Sequence, residues 1–155
     1  MSNEGQNGNG AAPATAQPVV QVLAQYIKDL SFENPGAPQG LTQNPQIEFG
    51  VDLQARQNDG TNYEVELKLR IHATVAEKQL FLLELTYAGL FRLENIPEDA
   101  LQPLLMIQAP HMLFPFARRI VADVVRDGGM PPLMVEPIDF AALYQARVKP
   151  TSLKA

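Results

Sequence analysis

The chain has 155 residues, a formal net charge of -5 at pH 7 and no cysteine. This length is enough for one domain with a substantial core, and the lack of cysteine excludes disulfides, thiolate metal sites and thiol nucleophiles. With 12 Lys and Arg against 17 Asp and Glu, the chain is also poorly suited to a broad electrostatic grip on nucleic acid or an anionic membrane.

The two ends of the chain have the composition of flexible tails. Residues 1–19 are rich in Gly, Asn, Ala, Gln and Pro, so they bury too little apolar area to offset the entropy of ordering. Residues 147–155 are short, basic and interrupted by Pro150. We therefore expect a disordered N-terminal tail, a folded domain over residues 20–146 and a flexible C-terminal tail. Because the sequence has neither a secretory signal nor a membrane-length apolar run, we expect a soluble, cytoplasmic protein.

The first predicted strand is "YIKDLSFE", residues 26–33. Its strand period separates two faces, one with Tyr26, Leu30 and Phe32 and the other with Ile27, Asp29, Ser31 and Glu33. The segment "NPGAPQGLTQNPQ" then predicts a long irregular connection, because its prolines and glycines supply turns and remove hydrogen-bond donors.

Three more alternating segments follow, "IEFGVDLQA", "NYEVELKLRIHATV" and "QLFLLELTYAG", with "NDG" as a hairpin signal between the first two. They predict a four-stranded, mainly antiparallel sheet with one apolar face. The same alternation puts a set of acidic side chains on the outer face: Asp29, Glu33, Glu48, Asp52, Glu64, Glu66 and Glu84, against Lys68 and Arg70.

Helical patterns begin after the fourth strand. Pro97 with Glu98 and Asp99 predicts a helix start, and Pro103 is expected to end that helix early. The main helix is predicted from about Pro110 to Asp127, with the apolar spacing Leu113, Phe116, Ile120 and Val124. Asp139 is the expected N-cap of a last helix that presents Phe140, Leu143 and Tyr144 on one side. The fold class is therefore α+β.

Catalytic signatures are missing from this pattern. His72 and His111 are the two histidines, and neither has a metal-ligand or catalytic motif around it, so we expect no enzyme, no metal and no cofactor. The chain instead has more apolar residues than one sheet face can bury, so it either forms oligomers or exposes a groove. Leu82 beside Glu84 fits a hot spot within a charged rim, and a merely solvated face is the alternative.

Four segments, "KDLSFENPGAP", "FLLELTYAGLF", "HMLFPFARRIVADVV" and "RDGGMPPLMVEPIDFAALY", together resemble the SecB family of bacterial protein-export chaperones, in order from about residue 21 to 146. The resemblance implies a four-stranded antiparallel sheet with a long helix and shorter helices on one side, assembled as a homotetramer, a dimer of dimers. It also implies that the protein holds unfolded precursor proteins without ATP and delivers them to the SecA motor of the translocase.

The family's functional positions carry over through the matching motifs. SecA is expected to dock at Asp29, Glu33, Leu82 and Glu84. The client groove is expected at Ile47, Phe49, Val51, Phe140 and Tyr144, with Leu113 and Phe116 divided between a core role and client contact. The oligomer interface is expected at Leu83, Leu85 and Tyr87.

Two other functions remain open at this point. A general antiaggregation holdase, for example one serving a toxin-antitoxin system, would use the same grooves without binding SecA. A small-ligand or catalytic domain on the same fold would bind a small molecule as a monomer or dimer.

Overall fold

Four long antiparallel strands form one sheet in the computed structural model, which describes residues 16–148. The strands are β1 (Val19–Glu33), β2 (Gln46–Asp59), β3 (Asn62–Val75) and β4 (Lys78–Glu94), and their spatial order is β1-β4-β3-β2. The helical elements, α1 (Glu98–Pro103), a π-helical turn (Leu104–Gln108), α2 (Ala109–Asp127) and α3 (Phe140–Val148), follow the sheet. The predicted α+β class and four-stranded antiparallel sheet are confirmed.

The core lies between α2 and the inner faces of the two central strands. Leu67, Ile71 and Leu83 have no accessible surface, and Leu113 and Val121 of α2 are equally buried. Inward-facing apolar side chains recur at every second residue of β3 and β4, which is why the two central strands present one continuous apolar face to the helix.

Two tight turns join the central strands. Gly60, in the predicted "NDG" turn between β2 and β3, has a φ of 54°. The turn between β3 and β4 is made by Ala76 and Glu77, whose φ values are 49° and 65°. Both turns need left-handed backbone, which glycine adopts without strain and residues with a Cβ adopt at a cost.

The inner face of β1 differs from the sequence prediction because the strand contains a bulge. Its register with β4 shifts between Ile27 and Asp29. As a result Ile27 pairs with Tyr87 on the inner face and Tyr26 pairs with Ala88 on the outer face, the reverse of the prediction. Leu30, after the bulge, lies on the inner face as predicted.

α1 ends at Pro103 as predicted, but the chain remains helical beyond it. Residues 98–127 continue as one helical run through the π-helical turn, in which the Ala109 N–H donates to the Leu104 carbonyl. This wider turn lies between Pro103 and Pro110, neither of which has an amide hydrogen to donate. The sequence did not predict this continuation, because a change of helical pitch between two prolines leaves no separate sequence signal.

The connection between β1 and β2, residues 34–45, folds over the beginning of β4 at Leu80. The Gly36 N–H donates to the Leu80 carbonyl at 3.0 Å, and a Cβ on either Gly36 or Gly40 would lie 2.4 Å from a Leu80 methyl group. Leu80, which is unpaired at the register shift between β3 and β4, is therefore buried.

The predicted tails fall mostly outside the described residues. Val19 opens β1, and Arg147 belongs to α3. Residues 1–15 and 149–155 are not described.

Candidate functional site: an apolar groove and an acidic sheet face

An apolar groove of about 690 Å³ runs along β2. Ile47, Phe49 and Val51 form one wall with their inner-face side chains. The opposite wall is an extended segment, residues 133–138, which includes Leu133 and Ile138. Ile47 and Phe49 are 40% and 41% exposed, so the groove is open to an incoming chain.

A second compartment of about 420 Å³ continues this groove toward the connection between β1 and β2. It shares Ile47 and Leu133 with the first compartment. Leu41 and Pro45 of the connection lie on one side, and Met130 lies on the other. The two compartments together make one long, open, mainly apolar surface.

The edge of β2 beside the groove offers unpaired main-chain groups. β2 is an edge strand, and the Leu53 carbonyl accepts a hydrogen bond from the Arg147 side chain, so it points away from β3. In a regular antiparallel strand every second residue points its N–H and C=O to the same side. The register of β2 is regular from Gln46 to Gln57, so Ile47, Phe49 and Val51 also direct their main-chain groups to the free edge.

The other two predicted groove residues lie elsewhere. Phe140 is only 3% exposed and makes an edge contact with Phe114, with 6.2 Å between ring centroids, so it belongs to the core. Tyr144 is half-buried on α3 and does not line the groove. Of the residues divided between core and client contact, Leu113 is fully buried, whereas Phe116 is exposed and stacks on Tyr87 at 6.3 Å.

The sequence prediction missed the second wall of the groove. Met134 is 61% exposed, and Leu133 and Ile138 are half-buried. The signal was present in "MPPLMVEPI", where apolar residues sit between prolines that prevent both a helix and a central strand.

The predicted docking residues share one corner of the outer sheet face. Glu33 is directly opposite Leu82 in the register, and Asp29 and Glu84 line the same shallow depression. Asp29 and Glu84 are exposed and Leu82 is half-buried. The structure thus brings all four predicted docking residues, on β1 and β4, onto one face.

Two other outward acids are neutralised by a network that crosses the sheet. Lys28 Nζ donates to Glu64 at 2.8 Å and to Glu66 at 2.5 Å, and Arg56 Nη2 binds the same two carboxylates at 2.8 and 3.1 Å. The Tyr26 hydroxyl donates to Glu64 at 2.5 Å. Tyr26 and Lys28 lie on β1 and reach β3 across β4.

This network shifts the pKa values of four of its members, raising those of Tyr26, Lys28 and Arg56 and lowering that of Glu64. Burial alone would raise the pKa of Glu64, but hydrogen bonds from Lys28, Tyr26 and Arg56 outweigh it and lower that pKa to about 2. Burial and the hydrogen bond to Glu64 raise the pKa of Tyr26 to about 12. Lys28 and Arg56 therefore compensate the charges of Glu64 and Glu66. Asp29, Glu33 and Glu84 take part in none of the ion pairs of the described residues, and Lys68 and Arg70 line the same depression as Asp29 and Glu84.

The predicted interface residues are core residues of this chain. Leu83 and Leu85 are at most 1% exposed, and Tyr87 is 7% exposed with its hydroxyl donating to Gln25 at 3.0 Å. They leave almost no surface for a second subunit to contact. Outside the groove, exposed apolar side chains lie instead on the inner face of β1 and on α2, among them Val20, Val22, Ile27, Leu30 and Phe116.

In residues 16–148 no three His, Asp or Glu side chains cluster closely enough to hold a metal ion. None of the described helices has both the length and the hydropathy that a membrane span requires.

Comparison with known proteins gives one consistent result. The family model described as preprotein translocase subunit SecB matches residues 13–151. The chain is 52% identical over 149 residues to the protein-export protein SecB of Parvibaculum lavamentivorans, covering 94% of this chain and 89% of that protein. It is 49% identical over 144 residues to the protein of the same name from Xanthobacter autotrophicus, covering 91% and 92%.

A solved structure shares the fold at low sequence identity. It is a SecB-like chaperone of Mycobacterium tuberculosis in complex with a ChAD peptide from an antitoxin. The TM-score is 0.66 at 15% identity, over 77% of this chain and 90% of that one.

Proposed function

Because this chain belongs to the SecB family of protein-export proteins, we propose that it is a cytoplasmic, ATP-independent chaperone that binds unfolded precursor proteins and delivers them to the SecA motor. The observation that carries the proposal is the open apolar groove beside the free edge of β2.

The groove has the two properties that an unfolded chain requires of a binding surface. Ile47, Phe49 and Val51 offer apolar side chains, and burial of apolar surface contributes about 25 cal/mol per Å² whatever the client sequence is. The main-chain groups of the same three residues can pair with an extended client as an added strand. A folded protein exposes few segments that are both extended and apolar, so this surface selects unfolded chains.

Delivery to SecA is assigned to the acidic corner of the outer sheet face. Glu33 lies directly opposite the half-buried Leu82 and Glu84 follows two residues later on β4, so two acids border an apolar residue as in a hot spot with a charged rim. Asp29 extends this acidic surface along β1. This corner lies on the opposite face of the sheet from the groove, so client and motor can bind together.

Assembly into a homotetramer is supported by the apolar patch on β1 and α2. Phe116 stacks on Tyr87, the residue paired with Ile27, so the patch continues from the strand onto the helix. Such a patch is expected to be covered by another copy. Several grooves on one assembly then hold a long client tightly, because every contact after the first is intramolecular.

The experiment that tests the proposal compares a groove variant with a matched variant on the same strand. We expect Phe49→Asp to lose most of its ability to suppress aggregation of a reduced, carboxymethylated model protein. Gln46→Asp adds the same charge on the outer face of β2 and should behave like wild type. Equal suppression by the two variants would contradict the assignment of the groove.

A second function, a general antiaggregation holdase without delivery to SecA, is favoured by one observation. The structural neighbour from Mycobacterium tuberculosis holds a peptide from an antitoxin on the same fold. The two functions share client binding and differ in the second partner. Affinity for SecA distinguishes them.

A further inference from the structure

The end of the free β2 edge is occupied by a side chain of the last helix. Arg147 Nη1 donates to the Leu53 carbonyl at 3.0 Å, and its Nη2 donates to Asp52 Oδ1 at 2.5 Å. Asp52 projects from the outer face of β2, whereas the Leu53 side chain projects from the inner face. Arg147 therefore reaches around the edge of the strand and takes the main-chain acceptor that an added strand would use there.

Upstream of Leu53 the edge offers Ile47, Phe49 and Val51, whose outward main-chain groups form a run of about 13 Å at the usual rise of a strand. This length suits a client segment of about five residues. A longer strand in register on β2 would have to continue past Val51 and compete with the guanidinium group for the Leu53 carbonyl.

We propose that Arg147 is a displaceable stop that limits the length of client strand paired with β2. This inference rests on the proposed client-binding function. It assigns a specificity-determining role to a residue that lies outside the groove, since Arg147 does not line either compartment. Short apolar segments bind without disturbing Arg147. A longer segment pairs past Val51 only when it breaks the two hydrogen bonds of Arg147, so in wild type most of its pairing stops at Val51.

The contacts of α3 allow Arg147 to be displaced while the beginning of the helix stays in place. The beginning of α3 is fixed, because Phe140 is buried against Phe114 and Asp139 Oδ1 accepts a hydrogen bond from the Ala142 N–H at 3.0 Å. Its far end is held through the Arg147 and Asp52 side chains, which are 39% and 56% exposed. Exposed ion pairs contribute little, so a client strand can replace this one without unfolding the helix.

The test uses the full-length protein and two synthetic peptides of alternating Val and Thr with terminal lysines, six and twelve residues long. Hydrogen exchange of the β2 amides reports where each peptide pairs, and titration reports its affinity. In wild type we expect both peptides to protect Phe49 and Val51 and to leave Leu53 unprotected. In Arg147→Gln the longer peptide should also protect Leu53 and bind about fivefold to tenfold more tightly, as expected for one released acceptor.

Controls separate this inference from the proposed function. Arg126→Gln removes an arginine whose partners are Asp123 and Asp127 on the long helix, and it should leave both peptides unchanged. Asp52→Asn weakens the hold on Arg147 while keeping the guanidinium, and it should give an intermediate effect. Identical footprints and affinities in wild type and Arg147→Gln would overturn the proposal that Arg147 limits strand pairing. If neither peptide protects β2 in wild type or in any of the variants, the client groove itself is wrongly assigned.

Discussion

The Tyr26 hydroxyl donates a 2.5 Å hydrogen bond to Glu64, a residue 38 positions away on a strand that is not a neighbour of β1. β4 lies between them, and its Ala88, which pairs with Tyr26, has too small a side chain to block the contact. The bond therefore joins the edge strand β1 to β3, which lies on the other side of β4. Together with Lys28 and Arg56, it links β1, β3 and β2 on the outer face.

Removing the charge of Glu64 is expected to make stability depend less on pH. The pKa of Glu64 is about 2 in the folded protein against 4.5 for an ordinary glutamate. Its contribution to the free energy of unfolding is therefore complete above pH 4.5 and is lost as the pH falls from there toward 2. Glu64→Gln should lower stability by about 1–3 kcal/mol near neutral pH, measured by urea unfolding, and by much less at about pH 3. A difference that stays constant with pH would contradict this role.

Reversing the charge of Glu84 is expected to weaken the docking of SecA. Glu84→Lys should reduce affinity for SecA by about tenfold or more, because it sets a positive charge within an acidic rim. Client binding should be unchanged, since Glu84 lies on the face opposite the groove. Asp59→Lys likewise reverses an acidic charge, at the other end of the sheet where Asp59 pairs with Asn62, and serves as the control. Loss of client and SecA binding together would show that the acidic corner is wrongly assigned.

Placing a charge on the inner face of β1 is expected to break the oligomer. Ile27→Asp puts an unpaired carboxylate in the middle of the exposed apolar patch, so light scattering should give a smaller assembly than wild type. Gln21→Asp changes the outer face of the same strand, where Gln21 pairs with Arg92, and should leave the assembly intact. An unchanged assembly in Ile27→Asp would move the interface away from this patch.

The two tight turns predict opposite effects of glycine. Glu77 has a φ of 65°, so Glu77→Gly should raise the free energy of unfolding by about 0.5–1 kcal/mol through relief of left-handed strain. Gly60 has a φ of 54°, and nothing lies within 4 Å of a Cβ built there. Gly60→Ala should therefore lower stability by about 1 kcal/mol through backbone strain alone. Thermal unfolding measures both, and effects of the same sign would contradict the turn geometry.

Sequence alternation predicted most of the sheet because one face is buried and a slip of one residue would expose it. It failed at Tyr26 and Ile27, where an unpaired residue at the bulge reverses the phase of the strand and leaves no mark in the composition. Strict alternation from Phe81 would also put Leu80 on the outer face, and it does not reveal that Gly36 covers this side chain, since that contact joins residues far apart in the chain.

The sequence predicted one wall of the groove and missed the other. Ile47, Phe49 and Val51 follow from strand period and do line the groove. Phe140 does not, because the first residue of a helix can turn toward the core or toward solvent with the same local sequence. The second wall, residues 133–138, has no periodicity, so only its three-dimensional position opposite β2 reveals it.

The central claim, an oligomeric holdase that docks on SecA, is tested most directly by light scattering on the purified protein loaded with an unfolded client, before and after addition of SecA. We expect an assembly of about four 17.1 kDa chains plus client, which forms a larger complex with SecA and then gives up the client. A loaded assembly that ignores SecA would contradict delivery and leave the general holdase. A stable monomer would contradict the role given to the apolar patch.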